Sequence, residues 1–396
     1  MPVGILFILF VVFLVIAIPV GITLGITTVL PHIFDPSFTV GAKYLIRAMF
    51  GGLDSFPLLA VPMFVLSGII MAKGGISRKI FDVFAYFFGR FTAGMPCAVI
   101  VTCLFYGAIS GSAPATVAAV GSMTAPILIG LGYDKTFTTS VVAVAGGLGV
   151  IIPPSIPFIM YGMASGASVS DLFLAGIIPG LVIAALLMGY AVCYCKQNGE
   201  DRVRIEAEIG KLHEKGFGRV FKDSFWALLS PIIVLGCIYS GITSPTEAAV
   251  ISVYYALIVS LFIYKEIKFR ELWGILVEAI KTFTPILFIL AASTAFSRVL
   301  TLMQVPQEVS SFILGNFSNK IIILLVINAF LLLVGMVVNL AIGFVTPPIG
   351  VNLFVASALT DVPVMEIARK ALPMIGLFLI ALLIFTFVPA FSLALL

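Results

Sequence analysis

Hydrophobic residues in this chain run in long blocks broken by short polar or proline-rich interruptions; they do not alternate with polar ones. Blocks near 3–30, 55–72, 138–163, 172–195, 226–240, 247–264, 283–303, 321–338 and 368–394 read as membrane spans, since a crossing helix needs roughly 20 apolar residues. Two segments, 40–52 and 266–281, mix charges with apolar residues and predict interfacial amphipathic helices. In the second, Ile267, Leu272, Ile275, Leu276 and Ala279 fall near helical spacing while Lys268, Arg270, Glu271, Glu278 and Lys281 are polar. One stretch is plainly polar: Lys196 to Lys222 holds seven Lys/Arg and five Asp/Glu. It reads as a connecting loop or short surface helix and divides the chain nearly in half.

Composition turns these blocks into a fold class. Of 396 residues, 61% are hydrophobic and 10% charged, with mean hydropathy +1.22; soluble domains carry about 25% charged residues. The chain is therefore expected to be an all-α, polytopic membrane protein whose solvent is the lipid bilayer. The first run, Pro2 to Pro31, has no Lys or Arg ahead of it and no small-residue cleavage site, so it reads as a retained span and not a signal peptide. The net charge of +4 is thinly spread, which excludes a nucleic-acid stripe. His32 and His213 sit in different polar breaks, and the five cysteines lie in or beside apolar runs. Converging ligands or a catalytic base are thus not expected, nor is an organic cofactor or enzymatic activity.

The halves match one another. Pro57 and Pro285 are 228 residues apart, as are Gly107 and Gly335; Pro153-Pro154 and Pro347-Pro348 are 194 apart, as are Pro179 and Pro373. GVIIPPSIPF (Gly149 to Phe158) lies over GFVTPPIGVN (Gly343 to Asn352). Four paired anchors on two constant offsets predict two structural repeats, expected to be inverted relative to one another. The first would cover 1–195, with a hairpin near 97–132 and a broken helix near 138–163. A connecting loop would cover 196–224, and the second repeat 225–396. The change of offset places a gap of 34 residues in the second copy, between Gly335 and Gly343. The first copy has SGSAPAT (Ser110 to Thr116) in the equivalent stretch; the sequence reads as either a shortened version or an unusual homologue.

Two segments carry candidate chemistry. In Tyr106 to Ser122, small and hydroxyl residues with Pro114 interrupt an apolar run too short to span twice, which predicts a re-entrant hairpin. Its tip would have to line a cavity or meet protein, because an unsatisfied backbone group in hydrocarbon costs several kcal/mol. The competing explanation is close helix packing through Gly107 and Gly111. In Gly146 to Phe158 and its counterpart Asn339 to Asn352, paired prolines remove amide donors and break a helix. Carbonyls freed there, with serine hydroxyls, suit Na⁺, and the amino end of a half-helix suits an anionic cargo. Ser110, Ser112 and Ser155 are placed to add polar contacts. Asp54, Asp134, Glu247 and Glu278 all fall near expected helix ends, which favours Na⁺ over proton coupling. Thr243, Thr246 and Glu247 around Pro245 predict an N-cap and first turn.

At these motifs the chain resembles the large membrane subunit of the tripartite ATP-independent periplasmic (TRAP) transporters. GAISGSAPATVAAVGS, GLGVIIPPSIPFIMYG, SDLFLAGIIPG and VVNLAIGFVTPPIGVNLF carry the resemblance. It implies a multi-pass protein of the bacterial inner membrane that imports small organic anions, of the C4-dicarboxylate or sialic acid class, with Na⁺ as coupling ion. An elevator movement, a periplasmic substrate-binding protein and a small four-helix membrane subunit are also implied. By motif, one sodium site would draw on Ser110, Ser112, Gly147, Val150 and Pro153. The second would draw on Gly343, Thr346 and Pro347, with Asn339 and Asn352 nearby, and Ser110 and Ser155 would face substrate. The family has a second hairpin with an acidic residue where the 34 residues are missing, so the second sodium site and one side of the substrate site are expected to be altered. Two other readings remain open: a standalone Na⁺/anion carrier of the wider class, and a non-transporting shortened paralogue.

Overall fold

A computed structural model of the chain describes residues 3–16, 18–34, 38, 41–317, 319, 321–326, 337–347, 350–388 and 390–396. Among these the secondary structure is helical, with no strand. Seven helices among the described residues are long and apolar enough to cross a membrane: Phe56–Lys73, Ala113–Gly130, Val169–Asn198, Phe217–Tyr239, Pro245–Ile263, Phe269–Leu302 and Val364–Phe387. Large apolar side chains such as Phe50, Tyr254, Leu372 and Ile380 are exposed, as befits a chain whose solvent is hydrocarbon.

The chain forms two compact units, each discontinuous in sequence. One is Met1–Leu59 with Val277–Ala329, the other Ala60–Leu276 with Phe330–Leu396. In the smaller unit Leu6, Leu24, Ala292 and Phe296 are buried together, and Phe10 stacks on Phe296 at 5.8 Å. The core of the larger unit brings Cys103, Phe137, Leu148, Ile183 and Phe378 into one buried cluster.

Several elements differ from the sequence expectation. The first run is two helices, Val3–Val15 and Val20–Phe34. Pro19 lacks an amide donor, and the residue before a proline is driven away from helical angles. The segment 266–281 is no separate interfacial helix: after a short 3₁₀ turn, one helix runs unbroken from Leu272 to Leu302. Nothing in the polar part stops a helix, so charge marks its end without breaking it. The N-cap near Pro245 is Ser244, not Thr243. Glu247 N–H donates to the Ser244 hydroxyl, while the Glu247 carboxylate accepts from Ser244 N–H at 2.7 Å, a reciprocal capping box. Gly335, at one edge of the expected 34-residue gap, lies outside the described residues.

Around the expected hairpin and helix break the chain is built as follows. A first arm, Gly94–Ser110, is joined by Gly111 and Ser112 to a return arm, Ala113–Gly130. Gly111 makes the reversal with φ 62°, a left-handed conformation that a Cβ disfavours; Pro114 sits in the first turn of the return arm, where its missing amide costs nothing. Every residue of the first arm except Val101 and Phe105 is buried, so its polar end is encased in protein. The chain then runs through Lys135–Ala145, a 3₁₀ turn Gly146–Val150, an irregular stretch across Pro153 and Pro154, and a fresh helix Ile156–Ser165. Near the second proline pair, helix Val337–Phe344 ends and helix Val351–Thr360 begins.

Candidate functional site

The hairpin tip and the first helix break lie against each other, held there by glycines. A Cβ on Gly107 would stand 2.7 Å from Gly149 Cα, and one on Gly111 would stand 2.7 Å from the Pro154 carbonyl oxygen. Gly149 faces the return arm, where a Cβ would meet Thr116 Oγ1 at 2.4 Å. The contacts are backbone against backbone or against a fixed hydroxyl, so any side chain larger than hydrogen pushes the tip away. Ile156 N–H, at the start of the fresh helix, donates to the Gly111 carbonyl at 3.2 Å and ties break to tip directly.

Oxygen atoms gather at this junction. Ser110 Oγ and Thr116 Oγ1 are 3.0 Å apart, and the Thr116 hydroxyl donates to the Ser112 carbonyl at 2.8 Å. Ser110 and Thr116 are buried, and Ser112 is half-buried. Hydroxyls in such a place need partners, since burial without one costs about 1–3 kcal/mol; here they satisfy each other. Thr116 is the residue the sequence reading passed over. Its position four residues after Ser112, on the same helical face, was the available signal.

Three helix ends meet here with defined polarity. The first arm ends at Ser110, which leaves partial negative charge on its last carbonyls. The return arm and the helix Ile156–Ser165 both begin here and bring partial positive charge, roughly half an elementary charge per terminus. No side chain caps the return arm at Ser112, whereas Ser155 caps its helix by accepting from Phe158 N–H at 3.5 Å. Chemically, the carbonyl end with its hydroxyls suits a small hard cation, and the amide ends suit an anion.

The remaining candidate residues distribute as follows. Ser155 is buried, and its hydroxyl donates to the Val150 carbonyl at 2.6 Å. Gly147 faces away from the tip, where a Cβ would meet Ala341 Cβ at 3.6 Å. Val150 and Pro153 are buried in the break. Gly343, Thr346 and Pro347 share one turn: Thr346 Oγ1 donates to the Ile342 carbonyl at 2.7 Å, and its N–H lies 3.4 Å from the Gly343 carbonyl. Asn339 lies on the helix just before them, while Pro348 is outside the described residues. Asn352 turns toward the helix Lys135–Ala145. Its Nδ2 donates to the Ala143 carbonyl at 3.0 Å, and its buried Oδ1 has no hydrogen-bond partner among the described residues.

Membrane-length helices, a helical hairpin and a broken helix that expose backbone dipoles to each other have the build of a transporter permease. The family model for the DctM component of tripartite ATP-independent periplasmic transporters matches residues 7–341 and 336–391. The chain is 38% identical to the isethionate TRAP transporter permease protein DctMQ of Oleidesulfovibrio alaskensis, over 98% of this chain and 65% of that protein. It is 35% identical to the C4-dicarboxylate TRAP transporter large permease protein DctM of Pseudomonas aeruginosa, over 94% and 92% respectively. It is 30% identical to the sialic acid TRAP transporter permease protein SiaT of Haemophilus influenzae, over 94% of this chain and 65% of that protein. The chain belongs to the DctM family of TRAP transporters: it is a multi-pass membrane permease and not an enzyme.

Proposed function

We propose that this chain is the large membrane subunit of a Na⁺-coupled importer of small organic anions, with Na⁺ held where the hairpin tip meets the first helix break. The observation that carries the reading is the oxygen cluster of Ser110, Ser112 and Thr116 at the carbonyl end of the first arm, beside two converging amide ends. Ser110, Ser112 and the backbone carbonyls of Gly147, Val150 and Pro153 are the first cation site, where an ion would take over the Val150 carbonyl from the Ser155 hydroxyl, and Ser110 and Ser155 face the cargo. The second cation site uses Gly343, Thr346 and Pro347, with Asn339 and Asn352. The unpartnered Asn352 Oδ1 supports its inclusion. Relatives named for isethionate, C4-dicarboxylates and sialic acid support an organic anion as cargo. The family description, tripartite and periplasmic, supports a periplasmic binding protein and a small four-helix membrane subunit as partners.

The two repeats fit the helix bounds. Ile76–Phe88 and Val305–Asn316 start within a residue of the first sequence offset, and Ile156–Ser165 and Val351–Thr360 within a residue of the second; so do Val169–Asn198 and Val364–Phe387. The return arm Ala113–Gly130 falls in the 34 residues that the second copy lacks, and the family match divides at 336–341, in the same place. By this reading the second copy lacks a counterpart of the return arm and of part of the chain that follows it, so its cation site has nothing to match Thr116. Paired repeats around a central site support an elevator movement. Reconstitution in liposomes tests the reading: uptake of a labelled organic anion should require an inward Na⁺ gradient and the binding protein. Uptake without the binding protein would favour the standalone carrier instead.

A further inference from the structure

At the end of the hairpin away from its tip, a residue distant in sequence joins the two arms. Glu200 lies in the polar connector after helix Val169–Asn198, yet its side chain is only 3% exposed. One carboxylate oxygen accepts the Ala93 N–H, at the head of the first arm, at 2.9 Å. The same oxygen accepts the Tyr133 hydroxyl, just past the return arm, at 2.6 Å. Its other oxygen faces the Arg202 guanidinium at 3.0 Å. Arg202 in turn donates to the Arg90 carbonyl at 3.2 Å and the Thr92 hydroxyl at 2.7 Å. Glu200 and Arg202 therefore grip the chain on both sides of the hairpin's open end.

Two features show that the grip holds something that would otherwise relax. Ala93 has φ 58°, a left-handed conformation that a residue with a Cβ adopts at a cost, and its amide is the one Glu200 fixes. Burial and the Glu200 carboxylate raise the Tyr133 hydroxyl well above its ordinary range, so it remains a donor at every physiological pH. A cavity of about 430 Å³ lies alongside, lined in part by Tyr133, Asn198, Glu200 and Lys370, so the closure is not buttressed by packing on every side. Ordinary capping would need neither a buried acid from the connector nor contacts to both arms.

We propose that Glu200 is a positioning residue: it closes the base of the hairpin and, through two stiff arms, sets the geometry of the tip at Ser110, Ser112 and Thr116. Each arm is about 25 Å long at roughly 1.5 Å per residue and the two are joined at the tip by Gly111 and Ser112, so a splay at the base changes the angle at which the arms meet and hence the Ser110–Thr116 approach. The consequence for Na⁺ rests on the tip being the cation site proposed above. The connector between the two repeats thereby acts on the transport site without touching it.

Hydrogen exchange on the purified full-length protein tests this, with Glu200→Ala, Glu200→Gln and Tyr133→Phe compared in Na⁺-free buffer. Glu200→Ala should speed exchange about tenfold at the base, residues 90–96 and 131–136, and also at the tip, residues 108–116; that is the scale expected for losing a buried charged hydrogen bond. Glu200→Gln and Tyr133→Phe should give smaller effects of the same pattern, with helix Pro245–Ile258 unchanged in all three. A merely local role would open the base and lower the melting temperature while tip exchange stayed as in wild type, and that result overturns the proposal. Titrating Na⁺ against K⁺ separates the two readings. Protection of the tip by Na⁺, with its midpoint raised in Glu200→Ala, supports both. A tip that loosens in the variant but is never protected by Na⁺ upholds the positioning role and removes the cation site.

Discussion

Thr116 and Ser110 face each other across the hairpin tip with their hydroxyl oxygens 3.0 Å apart, both enclosed by protein. Neither hydroxyl caps its own helix across that gap; each is the other's neighbour because Gly111 turns the chain back. In the proposed site a cation replaces this hydrogen bond. Thr116→Val keeps the shape and removes the oxygen. It is expected to raise the Na⁺ concentration for half-maximal uptake about tenfold, the effect of losing roughly 1.4 kcal/mol, with near-normal expression. Ser110→Ala should do the same, and the double variant should show less than the sum because the two act on one ion. Uptake measured across a Na⁺ series checks this; midpoints equal to wild type would remove both residues from the site.

Gly107 and Gly149 bring two backbones together without side chains between them. Gly149→Ala would place a methyl 2.4 Å from Thr116 Oγ1 and 2.9 Å from the Ser112 carbonyl oxygen. Overpacking of this kind costs about 1–3 kcal/mol, and here the strain falls on the proposed ligand cluster. The variant should lose most Na⁺-dependent uptake while remaining folded, as judged by size-exclusion chromatography. Gly189→Ala, where a Cβ meets nothing, should be neutral in the same assay.

Asn352 donates to the Ala143 carbonyl in the helix before the first break, and its Oδ1 has no partner among the described residues. An ion that binds the folded state raises its stability in proportion to the logarithm of its concentration, about 2.7 kcal/mol at a hundred times Kd. Na⁺ should therefore raise the melting temperature of the wild-type protein. Asn352→Ala should start lower, because the Ala143 carbonyl loses its donor, and should gain less from Na⁺. An identical Na⁺-induced rise in both proteins would mean that Asn352 holds structure only.

The proposed shortening of the second copy makes its own prediction. Inserting about 34 residues after Gly335, patterned on the stretch that follows Gly107, should strengthen Na⁺-dependent uptake by supplying the arm that the proposed second repeat lacks. The comparison is of initial rates at matched expression. A rate no higher than the parent's would show that the short form is complete as it stands.

Legibility in the sequence followed locality. The break at Pro153 and the reversal at Gly111 were readable because prolines and a glycine between small residues act on their own few neighbours. The interruption at Pro19 was obscured by the apolar residues on both sides, and the continuous helix Leu272–Leu302 by charges that mark an interface without stopping a helix. Ser110 and Ser112 drew notice as hydroxyls in an apolar run; Thr116 passed for an ordinary helix residue because its role depends on the fold of the tip. Glu200 could not be found at all. Its partners are 107 and 67 residues away, and in the sequence it is one acid in a charged connector.

Direct Na⁺ binding tests the central claim with no cargo or partner required. Radiolabelled Na⁺ would be titrated onto purified wild-type protein and onto Ser110→Ala and Pro153→Ala, with retained fold verified for each. Saturable binding by the wild type, weakened about tenfold or more in both variants, is the predicted result. Equal binding by all three proteins, or no saturable binding by any, would contradict the assignment of the hairpin tip and helix break as the cation site.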